Sequence, residues 1–195
     1  MTNTNPWQPA DNPTLDAFGR RYPIELKNIK FNAHFTRETH CFSATVYFNE
    51  ERVMKVENDG NGGAHYFYPL RGQSTESFRT MLDEVENSAY ESLDDSVREE
   101  YKSLLINNPH AKSTALEWVI TELLNEDLCL KDMRRLLKSK VAVFDKGDGK
   151  IYQYSCKPTE ENLTFLKKET AAEQCVFLND LPEHEAMVYW RRAEG

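Results

Sequence analysis

Four side chains able to ligate a soft metal, or to act as nucleophile and base, fall early in the chain: His34, His40, Cys41 and His65. Two imidazoles and a thiolate from neighbouring strands could hold zinc, which takes about four nitrogen or sulfur ligands in a tetrahedron. Their spacing fits no zinc signature. His40 and Cys41 are adjacent, so on a strand they point to opposite faces. A Cys–His nucleophilic pair meets the same objection, with no third residue to orient the base. No metal, cofactor or catalytic residue is expected. An enzyme acting on nucleotides or nucleic acid would draw on His34, His65 and Asp59.

A second constellation is the run Glu57-Asn58-Asp59-Gly60-Asn61-Gly62-Gly63, followed by His65, Tyr66, Phe67 and Tyr68. Three glycines in four residues mark backbone that adopts positive φ or approaches something closely. The run superficially resembles a calcium loop, but it lacks oxygen ligands at alternate positions and a closing glutamate. A phosphate loop opens a helix, whereas the continuation here is aromatic and strand-like. The two readings are a wide turn between strands, and a site for a ligand or partner backbone. In the second, Asn58, Asp59, Gly60, Asn61, Gly62 and Gly63 form the loop and His65, Tyr66 and Tyr68 the flat contact surface. A loop that sequesters a nucleotide is one form of it.

Charge supplies the third candidate. The 195-residue chain carries a net −8. Between Glu76 and Glu100 stand nine acids (Glu76, Asp83, Glu84, Glu86, Glu91, Asp94, Asp95, Glu99, Glu100) against Arg79 and Arg98, a local net of −7. A field of one sign repels nucleic-acid backbone and attracts basic partners. The surface is either a solvated helix face or a set of carboxylates placed where a partner expects phosphates. Tyr47, Tyr66 and Tyr68 with Lys55 and Arg71 would suit base stacking, yet the acidic total argues against it. Direct nucleic-acid binding is not expected. The adjacent acids Asp94-Asp95 and Glu99-Glu100 lack the contrasting environments that separate two carboxyl pKa values for acid–base work.

These groups need elements to position them. Residues 1–23 read as a polar, proline-rich arm that cannot repay its own ordering, with Trp7 and Phe18 able to pin it. Residues 24–195 read as one domain. Its first part, 24–70, is a β-meander: Ile29, Phe31, Ala33 and Phe35 alternate with polar residues, and so do Phe42, Ala44, Val46 and Phe48. Arg52–Val56 makes the hairpin partner, and His65–Leu70 a fourth strand.

A helical segment, 74–139, follows. Phe78, Leu82, Val85, Ala89 and Leu93 form one stripe, with Ser74 or Thr75 as cap. A short helix carries Val97, Tyr101, Leu104 and Leu105. Thr114 and Glu117 have capping-box spacing ahead of Leu116, Val119, Ile120, Leu123, Leu124 and Leu128. Lys131, Arg134, Arg135 and Lys138 make a basic stretch whose simplest use is intramolecular pairing.

The remainder, 140–195, is a ββαβα-like unit. Val141–Phe144 and Ile151–Tyr154 form a hairpin about an Asp-Gly turn. Thr159–Glu169 is a helix and Cys175–Leu178 a strand. Asp180 caps a closing helix, Pro182–Arg192.

The four cysteines are far apart and fit small buried hydrophobes better than a disulfide framework. No apolar run approaches the roughly 20 residues of a membrane span, and the first residues do not look like a signal peptide. A cytoplasmic protein is expected.

Glu38-Thr39-His40-Cys41-Phe42-Ser43-Ala44-Thr45-Val46-Tyr47, with the later Asn58–Gly63 run, resembles a pattern in small accessory proteins of tailed bacteriophages. The ending Leu178-Asn179-Asp180-Leu181-Pro182 with Ala186 and Trp190 is similar to the close of such proteins. The resemblance covers two short segments and brings no catalytic residue. It implies host cytoplasm and a factor that binds and inhibits a host protein, such as a nucleic-acid-binding or defence protein. The sequence therefore points to an α+β fold and a non-enzymatic acidic binding protein, by protein contact or nucleic-acid mimicry.

Overall fold

The structure, a computed structural model, describes residues 22–93, 111–170 and 174–194. Most of the N-terminal arm, the short helix expected at Val97–Leu105, and Asp94, Asp95, Glu99 and Glu100 lie outside those residues. The fold is α+β, with two antiparallel sheets and, among the described residues, four α-helices. The chain divides into two compact units, 1–124 and 125–195.

In the first unit β1 (Ile24–Phe31), β2 (Cys41–Phe48), β3 (Glu51–Asp59) and β4 (Tyr66–Tyr68) lie in sequence order, each antiparallel to the next. The buried face carries Phe42, Ala44, Val46 and Phe48 from β2 and Met54 and Val56 from β3. The β2–β3 turn is Asn49-Glu50, both at positive φ (49° and 68°). This is the backbone that the strand twist demands of a two-residue hairpin, achieved without glycine.

The alternation through Ala33 and Phe35 does not continue the first strand. β1 stops at Phe31, and Phe35 is 61% exposed. Asn32 ends it: its side-chain oxygen accepts the His34 N–H at 3.2 Å and its carbonyl accepts from Phe35 N–H and Thr36 Oγ1. A local turn thus outcompetes the ladder. The strand expected over His65–Leu70 shortens to three residues, because Pro69 has no N–H to give a ladder.

Helix α1 (Thr75–Glu91) starts where expected, with Ser74 Oγ accepting the Ser77 N–H at 3.1 Å. Its Val85 and Ala89 are fully buried. Helix α2 (Ala111–Ser139) is one 29-residue element that continues through Met133, Leu136 and Leu137, where a further turn or helix is expected from the sequence. It begins a turn ahead of the expected capping box, so Thr114 is helical and cannot take the extended backbone of an N-cap. The boundary between the units falls inside α2.

In the second unit β5 (Val141–Asp145) is the central strand between β6 (Ile151–Tyr154) and β7 (Cys175–Phe177), antiparallel to both. Helix α3 (Glu160–Glu169) is capped by Thr159, whose hydroxyl accepts the Asn162 N–H. Leu178–Asp180 is a 3-10 turn and α4 (Glu183–Glu194) closes the chain. Asp180 is therefore not the cap of α4: the Pro182 carbonyl accepts the first helical N–H groups, and the Asp180 carboxylate pairs with Lys167 Nζ at 2.7 Å. One core cluster joins Met133, Phe144, Leu178, Ala186 and Trp190, and a second joins Val141, Val143 and Phe177.

The basic stretch of α2 pairs locally: Lys131 with Asp127, Arg135 with Asp132, and Arg134 with Glu183 of α4. Glu183 sits low of its ordinary carboxylate range because Arg134 hydrogen-bonds it.

Candidate functional site

The glycine run is not an open loop. It is clasped against the β1–β2 connection of the same chain. The Gly60 carbonyl accepts three successive backbone N–H groups, from Arg37 (3.0 Å), Glu38 (3.1 Å) and Thr39 (3.4 Å). A Cβ at Gly60 would lie 2.2 Å from the Phe35 carbonyl oxygen. With φ at 84°, the position demands glycine twice over, once for conformation and once for space. A Cβ at Gly62 would lie 2.5 Å from Glu38 Oε2, whereas at Gly63 nothing stands within 4 Å.

Asn58 holds the clasp from within. It is 3% exposed, and its carboxamide is used at both ends. Oδ1 accepts from Thr39 Oγ1 at 2.7 Å and from the Gly60 N–H at 2.9 Å. Nδ2 donates to the Gly63 carbonyl and to His65 Nδ1 at 3.0 Å. Because Nδ1 accepts, the other ring nitrogen carries the proton. Nε2–H donates to Thr121 Oγ1 of α2 at 3.1 Å, and that hydroxyl donates to the Glu117 carbonyl. Burial pushes the His65 pKa below its ordinary 6.5, against a smaller opposing pull from the Glu117 carbonyl. His65 is thus a neutral link between the glycine run and α2, its ring edge-on to Phe42 at 5.3 Å.

The donors that a phosphate would need are engaged. Gly60 N–H bonds to Asn58, Asn61 N–H to Asp59 Oδ1 at 3.1 Å, and Gly62 N–H to Thr39 Oγ1 at 3.2 Å. An anion seated in the loop would have to displace all three acceptors. Beside the clasp a hollow of about 390 Å³ is lined by residues that include Arg37, His40, Phe42, His65 and Leu124. Its His65, Thr36, Thr39 and Thr121 side chains are already bonded within the chain.

Protein-family models, curated proteins and solved structures give no match to this chain.

Tyr66 and Tyr68 are 57% and 43% exposed on β4. His34 is exposed in the β1–β2 connection, and His40 stacks edge-on with Phe31 at 5.5 Å. No group of three or more metal-ligating side chains occurs among the described residues. Cys41, Cys129, Cys156 and Cys175 form no disulfide among the described residues, and each is partly rather than fully buried. Of the acidic set, Asp83, Glu84 and Glu91 are exposed on α1 together with Glu76, and Glu86 is half-buried.

That the 32–40 connection is the partner of the glycines is not legible in the sequence. Thr39, 19 residues from Asn58, was the available signal: a hydroxyl residue beside a turn can serve a distant amide, but nothing local says which one.

Proposed function

We propose that this chain is an acidic accessory protein of the bacteriophage type, which binds and inhibits a basic host protein through the exposed face of α1. At 100° per residue, Glu76, Asp83, Glu84 and Glu91 fall within an arc of about 100° and along about 22 Å of helix. Arg79 is the sole base on α1, and no basic residue occupies its last turn, where Glu91 stands. A carboxylate at that end opposes the helix dipole, by about 0.3–1 kcal/mol where it is exposed. The line of four exposed carboxylates, set against Arg79 as the single base of α1, carries the reading. A line of carboxylates on a rigid element suits a partner whose surface is built to meet phosphates, such as a nucleic-acid-binding or defence protein. The resemblance of the Glu38–Tyr47 and Asn58–Gly63 segments to phage proteins supplies the host context.

The test is competition. A host protein captured from bacterial lysate on the tagged chain should be released by duplex DNA and by salt, since exposed charge pairs are screened over about 10 Å at 0.1 M. A captured partner that neither duplex DNA nor salt displaces would overturn nucleic-acid mimicry.

A further inference from the structure

The net charge of −8 is not shared by every surface. The register of the four-stranded sheet sorts the face opposite its core into rows, in which the β2 position Thr45 is itself buried (6% exposed). Lys27, Thr45, Lys55 and Tyr68 lie side by side across β1 to β4. In the next row stand Lys30, Ser43, Glu57 and Tyr66. Glu25, Tyr47 and Arg52 share the row on the other side. A further row holds Cys41 and Asp59, so four bases face three acids here, a local excess of one positive charge on a chain of net −8. Lys27 is already committed, paired with Glu25 at 3.1 Å and lying 4.3 Å over the Tyr47 ring. Lys30, Arg52 and Lys55 are exposed and make no ion pair among the described residues.

We infer that this sheet face binds single-stranded nucleic acid, with Tyr66 and Tyr68 as the stacking platform and Lys30, Arg52 and Lys55 as phosphate contacts. The rings project from one face of β4 at positions i and i+2, about 6.7 Å apart at the strand rise. That is about twice the 3.4 Å rise per base in one strand of a duplex. Successive bases must therefore unstack, each lying on its own ring, which a flexible single strand can do and a duplex cannot. Lys55, directly across from Tyr68, stands one strand spacing away, about 4.8 Å. Glu57, directly across from Tyr66, opposes the backbone charge. The expectation drawn from total charge gives way to the local field, because screening confines each patch to about its own Debye length.

Fluorescence anisotropy of the full chain with a labelled oligothymidylate of roughly 12 nucleotides, within the usual site size, tests the inference. Binding should appear at low salt and weaken with a log–log salt slope near −2, for about three phosphate contacts. Y66A together with Y68A should weaken it by tenfold or more, at about 1–3 kcal/mol per stacked base. Y66F with Y68F should retain it, and Glu57→Gln should tighten it. A duplex of the same length should compete poorly. Absence of low-salt binding, an unchanged affinity in a folded Y66A/Y68A chain, or equal competition by duplex would each overturn it. So would self-association lost in the double tyrosine variant without any oligonucleotide binding, which would give the face to a second copy.

Discussion

At the scale of single residues, the glycine run and His65 make opposite demands that can be measured. Gly60→Ala meets both a positive φ and the Phe35 carbonyl, so the clasp must open. Gly63→Ala meets only the positive φ (95°), with nothing within 4 Å. The first should cost more than about 3 kcal/mol and the second about 1 kcal/mol, on the strain expected of a side chain in that region. Denaturant midpoints decide it, and equal losses would contradict the clasp. For His65 the folded pKa lies below 6.5. Its contribution to stability is full above 6.5 and lost as pH falls through the lowered value. Protonation would also set an N–H against the Asn58 amide donor. Glu117, raised from 4.5 by burial, works the other way: its contribution is present below 4.5 and lost as pH rises through its folded value. The two slopes oppose each other between those limits, so the informative quantity is a difference. Urea melts from pH 7 to pH 5 should show wild type losing more stability than His65→Gln. Parallel losses would remove His65 as the acid-labile link.

Elements show how much was legible. Strong periodicity and turn or cap chemistry made α1 and the β5–β6 hairpin readable, because Ser74 and the Asp148-Gly149 turn act through neighbours within a few residues; α3 starts one residue later than the sequence suggests, with Thr159 as its cap. What could not be read depends on competition or distance. Asn32 ends β1 although Ala33 and Phe35 keep the alternating pattern, and Asn49-Glu50 turns the chain without glycine. Asp180 looked like a cap because its spacing to Pro182 and Glu183 fits one. Asn179 beside it does the joining: Oδ1 accepts the Ala142 N–H at 2.9 Å, and Nδ2 donates to the Leu137 and Lys140 carbonyls at the end of α2. Asn179→Ala should therefore cost about 2–3 kcal/mol, leaving three backbone groups without that partner. Asp180→Ala, removing one exposed pair with Lys167, should cost less than about 1 kcal/mol. Thermal melts of the two variants check the ranking, and a larger loss at Asp180 would reverse it.

Over the whole molecule, charge rather than the glycine run distinguishes the surfaces. The candidate residues were legible as types, since the acids of 76–100 and the tyrosines of 66–68 are visible in the sequence. Their separation was not, because it depends on strand register and on which groups the clasp consumes. Asn58, Gly60 and His65 turn inward to hold the first unit together. Glu76, Asp83, Glu84 and Glu91 stay outside on α1. What we propose for this acidic face is recognition of a host protein. Its most direct measurement is capture from bacterial lysate at low and high salt, by the wild-type chain and by a chain with Glu76→Gln, Asp83→Asn, Glu84→Gln and Glu91→Gln, matched for helix content by circular dichroism. One basic host protein held by wild type, released by salt and absent from the neutralised chain, is the predicted result. The same protein retained by the neutralised chain at either salt concentration would contradict it.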